Sequence, residues 1–387
     1  MMDWSWYAGV AGAALPVLIW LYLVCARGSF WRIKPHLAPT PTPGNTSKKI
    51  AVVIPARNEA DVIGGTIASL LAQDFNGTCE IFVVDDESSD GTAEAAIAAG
   101  RSLVTVVKAL APPVGWTGKM WALSQGVERA LAAAPDFLLF TDSDIHHSPD
   151  SLAKLVAIAV HGPFDVVSFM VKLRCETFAE RALIPAFVFF FFLLYPPAWI
   201  RNEKRKTAGA AGGCVLISPT ILRRAGGIAA IRSEVIDDCA LARQVKRAGG
   251  RIWLGLATDT VSTRRYETFT EIERMIARTA YRQLNHSVLL LAGTVAGLAI
   301  TYVLPVALLF GGHTLYAFLG LAAWALMTIA YVPMVRFYKQ PPLWAPLLPA
   351  VALFYAAATI HSAFKYWTGR GGEWKGRAQD TKSGARL

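Results

Sequence analysis

Two kinds of hydrophobic patterning share this chain. Between residues 50 and 284, short β-branched runs alternate with stretches of helical periodicity, a pattern that predicts a parallel sheet covered by helices. Strands are expected at 50–55, 80–85, 103–107, 137–141, 166–171 and 213–218, with helices among them at 61–73 and 119–134. Outside that region the pattern gives way to long apolar runs at 8–26, 288–310, 314–335 and 343–364, and a further run, 183–200, interrupts the alternating part itself. As a helix, 288–310 would be about 35 Å long at about 1.5 Å per residue, enough for a hydrocarbon core of about 30 Å. Only Gly311, Gly312 and His313 separate it from the next run, so the two are expected to form a helical hairpin.

Composition agrees with a membrane protein. The 387 residues are 54% hydrophobic and 17% charged, against about 45–50% and about 25% in a soluble domain. A wholly soluble, disordered, collagenous or coiled-coil protein is thereby excluded. The run 8–26 has Asp3 before it and Arg27, Arg32, Lys34, Lys48 and Lys49 after it, the reverse of a signal peptide. It is therefore expected to be a retained anchor with the following chain in the cytoplasm. Pro39, Pro41 and Pro43 make the link beyond it a semi-rigid tether. The run 343–364 has Arg336 and Lys339 before it and Lys365, Arg370, Lys375 and Arg377 after it, so it either dips in and returns or puts the tail outside against the charge rule. A cytoplasmic tail is the favoured reading. Arg174, Arg181, Arg201, Lys204, Arg205 and Lys206 rim 183–200, as expected for a segment lying against anionic headgroups. Much of the net charge of +10 thus borders the membrane, and nothing points to nucleic acid. The five cysteines have neither CxxC nor ligand-like spacing, which argues against a disulfide framework or a zinc site.

In such sheets ligands sit beyond the carboxyl ends of the strands. The first strand runs into Pro55, Arg57, Asn58 and Glu59, and the second into Asp85, Asp86 and a Ser-Asp-Gly turn. Adjacent carboxylates there suit either a capped turn or the N–H and hydroxyl groups of a nucleoside. The fourth strand leads directly to Asp142 and Asp144, alternating hard oxygen ligands suited to Mg²⁺ or Mn²⁺ on a diphosphate. His146 and His147 follow as further ligand candidates, although solvated loop histidines are the favoured reading. Gly118-Lys119 offers a cation at a helix start, and Gly212, Gly213 and Cys214 form a loop small enough for close approach of a substrate or for a tight turn. Asp237 and Asp238 open an amphipathic helix. Favourable placement at its positive end explains one acid better than two.

Taken in order, VVIPARNE, VVDDESSDGT, GK, TDSD, GGC and IDDCALARQVKRAGG resemble the processive and lipid-directed family 2 glycosyltransferases of the GT-A fold, over residues 50–282. With membrane segments at both ends and GEWKGR near the C-terminus, the chain looks closest to hopene-associated glycosyltransferases, related to ceramide glucosyltransferases. The resemblance implies an α/β GT-A catalytic domain with a Rossmann-like, mostly parallel sheet, plus transmembrane helices at both ends. By residue it implies that Pro55, Arg57, Glu59, Asp85, Asp86 and Lys119 bind the nucleotide-sugar. Asp144, aided by Asp142, would hold Mg²⁺ or Mn²⁺, Asp238 would be the general base beside Asp237, and Gly212, Gly213 and Cys214 would meet the acceptor. Of the family's Gln-x-x-Arg-Trp element only the arginine is matched, by Arg278, as a diphosphate contact or an interfacial helix residue.

The expected organisation is an anchor at 1–26, a basic linker at 27–49, a catalytic domain at 50–284 with 183–200 at the interface, membrane helices over 285–364 and a basic tail at 365–387. Asp144 and Asp238 must reach one site from either side of 183–200, so that run is not expected to be a single crossing. The expected function is an inverting transfer of a hexose, from a UDP-sugar, to a lipid hydroxyl such as a hopanoid's, at a bacterial inner membrane with the catalytic domain in the cytoplasm. The alternatives are a polyprenyl-phosphate glycosyltransferase and a non-catalytic scaffold with a degenerate nucleotide-binding domain.

Overall fold

The computed structural model describes residues 4–33 and 47–371, together with the backbone of 373–374 and 377–378. The proline-rich link and the end of the basic tail lie outside the described residues. The chain divides into two compact units, one drawn from Met1–Ile33, Cys175–Ala198 and Tyr266–Leu387, the other from Lys34–Arg174 and Trp199–Arg265.

The second unit is built on an eight-stranded sheet. Its strands are β1 (Lys49–Ala56), β2 (Thr78–Asp85), β3 (Val104–Lys108), β4 (Phe137–Thr141), β5 (Ile145–His146), β6 (Val166–Lys172), β7 (Cys214–Ile217) and β8 (Ile252–Ser262), in the order β3-β2-β1-β4-β7-β6-β8-β5. β1 is apolar almost throughout and buried over seven of its eight residues, as a strand covered on both faces must be. It pairs in parallel with β2 and β4. The register sets Ala56 beside Asp85, so the acidic loops after β1 and β2 emerge together.

The sheet is mixed rather than wholly parallel. β7 runs antiparallel to both β4 and β6, and β5 is antiparallel to β8. β7 therefore enters the sheet where its neighbours leave it, which sets the loop before Cys214 at the acidic end of β4. β5 and β8 were not among the expected strands. The helix Gly118–Leu131 lies on β1 and β2 so closely that a Cβ at Gly126 would fall 2.5 Å from Val53 Cγ1 and 2.6 Å from Val84 Cγ2. Contact at that range fixes where the helix begins, and Lys119 stands in its first turn.

The first unit is helical. Among the described residues, five helical stretches are long and apolar enough to cross a membrane: Trp6–Cys25, Phe178–Arg201, Val288–Phe310, Thr314–Phe337 and Pro342–Trp367. Each covers one of the expected apolar runs. Pro305 cannot donate to the carbonyl of Thr301, and the preceding turn, Ala299–Val303, is widened to π geometry. The indole of Trp20 donates to that Thr301 carbonyl at 2.9 Å. The aromatic run near 189 packs within this unit: Phe189 is fully buried against Phe30 and Tyr331, with ring centroids 5.2 and 5.1 Å apart.

Candidate functional site

Acidic residues from the end of β4 and from one helix start converge in a single cleft of the sheet unit. Pro55, Lys119, Thr141, Asp142, Gly212, Asp237 and Asp238 line it. β4 delivers Asp142 and Asp144 because its last residue, Thr141, is clamped: its hydroxyl donates to the Gly213 carbonyl at 2.9 Å and lies 3.0 Å from His147 Nε2. Thr66 Oγ1 donates to the Ser143 carbonyl at 2.7 Å, holding the turn between the two acids. His147 is buried, with its Nδ1 3.3 Å from Ser151 Oγ, and burial followed by the proximity of His146 pushes its imidazole down to about 3. It is a neutral, structural residue, in contrast to the solvated loop histidine expected from sequence. His146 is exposed.

Lys119 joins the two acidic pairs. Its ammonium lies 3.0 Å from Asp142 Oδ1 and 3.1 Å from Asp237 Oδ2. Burial opposes the charge, but those carboxylates outweigh it and hold the lysine well above its ordinary range. Asp142 is pushed up by the protein around it, against the pull of Lys119, with Asp144 and Asp237 adding to the rise. Asp238 is raised to about 6, first by burial and then by Asp237, despite accepting from Gly212 N at 2.7 Å. A Cβ on Gly212 would stand 3.3 Å from Asp238 Oδ2, so the small residue permits this approach. Of the other loop residues, Gly213 supplies the carbonyl that Thr141 uses, whereas Cys214 is wholly buried, its thiol pushed up to about 12 by burial. Cys214 pairs with Thr141 across the sheet and anchors the loop from beneath. Among the described residues none of the five cysteines is in a disulfide.

On the other side of Asp144, sequence reasoning missed an arginine. Asp144 Oδ2 accepts from Ser262 Oγ at 2.7 Å and from Arg264 Nε at 3.3 Å, and Arg264 Nη2 donates to Glu59 Oε1 at 2.8 Å. Arg264 follows β8, and recognising that strand would have brought its carboxyl end under the same scrutiny as the others. Asp85, the last residue of β2, and Asp86, just beyond it, are both buried. Arg57 lies 3.8 Å from Asp86 Oδ2, and its own Nε is buried without an acceptor. Asn58, Ser88, Ser89, Asp90 and Thr92 lace the β1 and β2 loops together by side-chain hydrogen bonds. Arg278 follows the helix Phe269–Ala277 in the helical unit and is not among the residues lining this cleft.

Among the described residues no three His, Cys, Asp or Glu side chains gather as a metal cage. The donor set nonetheless fits a hard divalent cation that shares its coordination with a diphosphate. Asp142 and Asp144 are carboxylates on alternate residues, and burial first, then the charges of Asp144 and Asp237, raise the carboxyl of Asp142, a condition that a cation relieves.

Lys119→Met is expected to destabilise the sheet unit by about 2 kcal/mol, less than a fully buried pair would cost because the groups are partly exposed. The cost should be smaller at pH 4 than at pH 8, because the raised carboxyl of Asp142 keeps more of its proton at the lower pH while Lys119 stays protonated at both. Thermal unfolding in detergent at the two pH values measures this, and equal losses at both would refute the ion-pair account.

Comparison with known proteins identifies this architecture. Residues 51–226 match the family model described as Glycosyl transferase family 2. The chain is 31% identical over 131 residues to the 4,4'-diaponeurosporenoate glycosyltransferase of Staphylococcus aureus strain N315, covering 34% of this chain and 32% of that protein. It is 34% identical over 102 residues to the protein of the same name from Staphylococcus haemolyticus, covering 26% of each. The chain thus spans a third or less of the length of these curated relatives. Among solved structures, a mannosyltransferase from Pyrobaculum calidifontis in complex with GDP-Man and Mn²⁺ superposes with a TM-score of 0.54 at 20% identity, over 93% of this chain and 96% of that one. That likeness shows the fold, the GT-A fold.

Proposed function

We infer that this chain, whose residues 51–226 form a family 2 glycosyltransferase domain, is a membrane-bound inverting hexosyltransferase that moves a sugar from a nucleotide-sugar, a UDP-hexose, to a lipid hydroxyl. The observation that carries this reading is the cleft itself, where Lys119 ties the strand-end acid Asp142 to the helix-start acid Asp237, with Asp238 beside them in the lining. Asp238, raised to about 6, is poised to take the acceptor's proton near neutral pH. The acceptor oxygen then bonds to the anomeric carbon as the bond to the diphosphate oxygen breaks on the opposite face, without a covalent intermediate. Asp144 and Asp142 are the residues that would hold Mg²⁺ or Mn²⁺, which supplies neutralisation of the departing diphosphate. Asp85, Asp86 and Arg57 face the nucleoside in this reading, with the orphaned Arg57 Nε as one donor, and Gly212 and Gly213 leave room for the acceptor.

Five apolar stretches and relatives named for 4,4'-diaponeurosporenoate support a lipid acceptor. A hopanoid is the acceptor class that the sequence resemblance implies. Because one sheet contains strands from both sides of Cys175–Ala198, that segment leaves and re-enters on the same side of the membrane. The basic residues after Cys25 support an inner-membrane protein with its catalytic unit in the cytoplasm.

Membranes containing the protein, given Mg²⁺ or Mn²⁺ and a panel of labelled sugar nucleotides, are expected to transfer label into organic-extractable lipid. Chelation by EDTA should stop the transfer. No labelled lipid from any donor, with no sugar-nucleotide binding by calorimetry, would leave the domain as a non-catalytic scaffold.

A further inference from the structure

Glu59 and Asp144 are acids on different strand-end loops, with side chains only 9% and 8% exposed, and one guanidinium serves both. Arg264 reaches them from the end of β8 and is itself 36% exposed. Two nearly buried carboxylates require a cation beside them, since an unpaired buried charge is strongly unfavourable. Thr263 fixes the backbone at this point by donating to the Asp144 carbonyl through its N at 2.8 Å and its Oγ1 at 3.0 Å. The loop carrying the arginine is therefore tied to the same residue that its side chain neutralises.

We propose that Arg264 is a latch on the metal carboxylate: with no donor bound it occupies Asp144 and competes with a divalent cation, and when cation and nucleotide diphosphate arrive together it yields Asp144 and turns its charge to the diphosphate. The proposal rests on the transferase reading above and adds an order of binding to it. The chemistry of the donor set favours that order. Two carboxylates cannot complete the coordination of Mg²⁺ or Mn²⁺, and an ion that must also displace a guanidinium binds poorly until phosphate oxygens supply further ligands. The latch keeps the cation from lodging in the empty cleft. Arg264 is thus a positioning residue for the cation in the resting protein and a diphosphate contact in the loaded one.

The test measures binding rather than turnover. Free Mn²⁺ is counted by electron paramagnetic resonance against the full-length protein in detergent, with and without UDP. In R264Q, Mn²⁺ alone is expected to bind about tenfold more tightly than in wild type, the loss of one hydrogen-bonded charged contact. In the presence of Mn²⁺, UDP should bind about tenfold more weakly for the same reason. R264K, which keeps a cation at this position without the two-armed fork that joins Glu59 and Asp144, should shift Mn²⁺ affinity in the same direction by less, and it guards against a folding defect in R264Q. Unchanged or weaker Mn²⁺ binding in both variants, with D144N still abolishing it, would overturn the latch and leave the metal role of Asp144 intact. Absence of Mn²⁺ binding in every form, even with UDP, would remove the latch and the metal reading together.

Discussion

Replacing Asp238 by asparagine is expected to cut turnover by about three orders of magnitude while leaving nucleotide binding nearly unchanged, the size of effect that loss of a general base produces. The side chain lies beneath Gly212, and the amide can still accept from its N–H, so the cleft should keep its shape. The pH dependence gives an independent check. A base must be deprotonated to act, so wild-type kcat/KM should climb as pH rises through about 6 and level off above it. Asp237→Asn removes one of the charges that raise Asp238 and should move that acid limb to lower pH. Stability carries the opposite sign. A carboxyl whose folded-state value lies above the ordinary one favours the folded state when protonated, and that contribution is lost as pH rises through about 6. Asp238→Asn is neutral at every pH, so it should melt above wild type at pH 8 and close to it at pH 4. A variant that retains most of its transfer would instead indicate an acceptor that needs no base, such as a polyprenyl phosphate.

The site was legible where chemistry is written beside a strong structural signal, and illegible where it depends on contacts through space. β1 and β4 can be read from sequence because their apolar runs are continuous and then stop at polar residues, Arg57 and Asn58 after β1 and Asp142 after β4, and Asp142 and Asp144 inherit their direction from the strand. The antiparallel course of β7 was not legible. Its four residues, CVLI, are buried throughout and would serve equally well in either direction, so nothing local to the strand marks its direction. β8 is hard to read because its continuous buried run, IWLGLA, gives way at Thr258 and Asp259, both exposed, and Arg264 is hidden with it. Lys119 was visible as a lysine at a helix start, but its partners Asp142 and Asp237 lie 23 and 118 residues away in the chain. His147 misled for a similar reason. It stands in a polar loop by sequence, and only Ser69, Thr141 and Ser151 closing around it make it a core residue.

Asp144→Asn is expected to abolish metal-dependent transfer, lowering it by at least about a hundredfold, as removal of a cation that carries several kcal/mol of transition-state charge stabilisation should. The argument lies in the difference between the two acids of the turn. Asp142 is committed to Lys119 at 3.0 Å and is more exposed, so its replacement perturbs a charge that the lysine already balances. Asp144 is nearly buried, with its carbonyl held by Thr263 and its carboxylate by Ser262 and Arg264, so its replacement removes the ligand whose position the surrounding loops fix. Asp142→Asn should therefore be the milder change and should be partly rescued by excess Mn²⁺, whereas Asp144→Asn should resist rescue. Titration of UDP with and without Mn²⁺ separates the two: wild type and Asp142→Asn should bind UDP more tightly with the ion present, and Asp144→Asn should bind it equally in both conditions. Equal rescue of both variants by Mn²⁺ would mean that the two carboxylates share the cation evenly, and that the hydrogen bonds around Asp144 serve the loop rather than the metal.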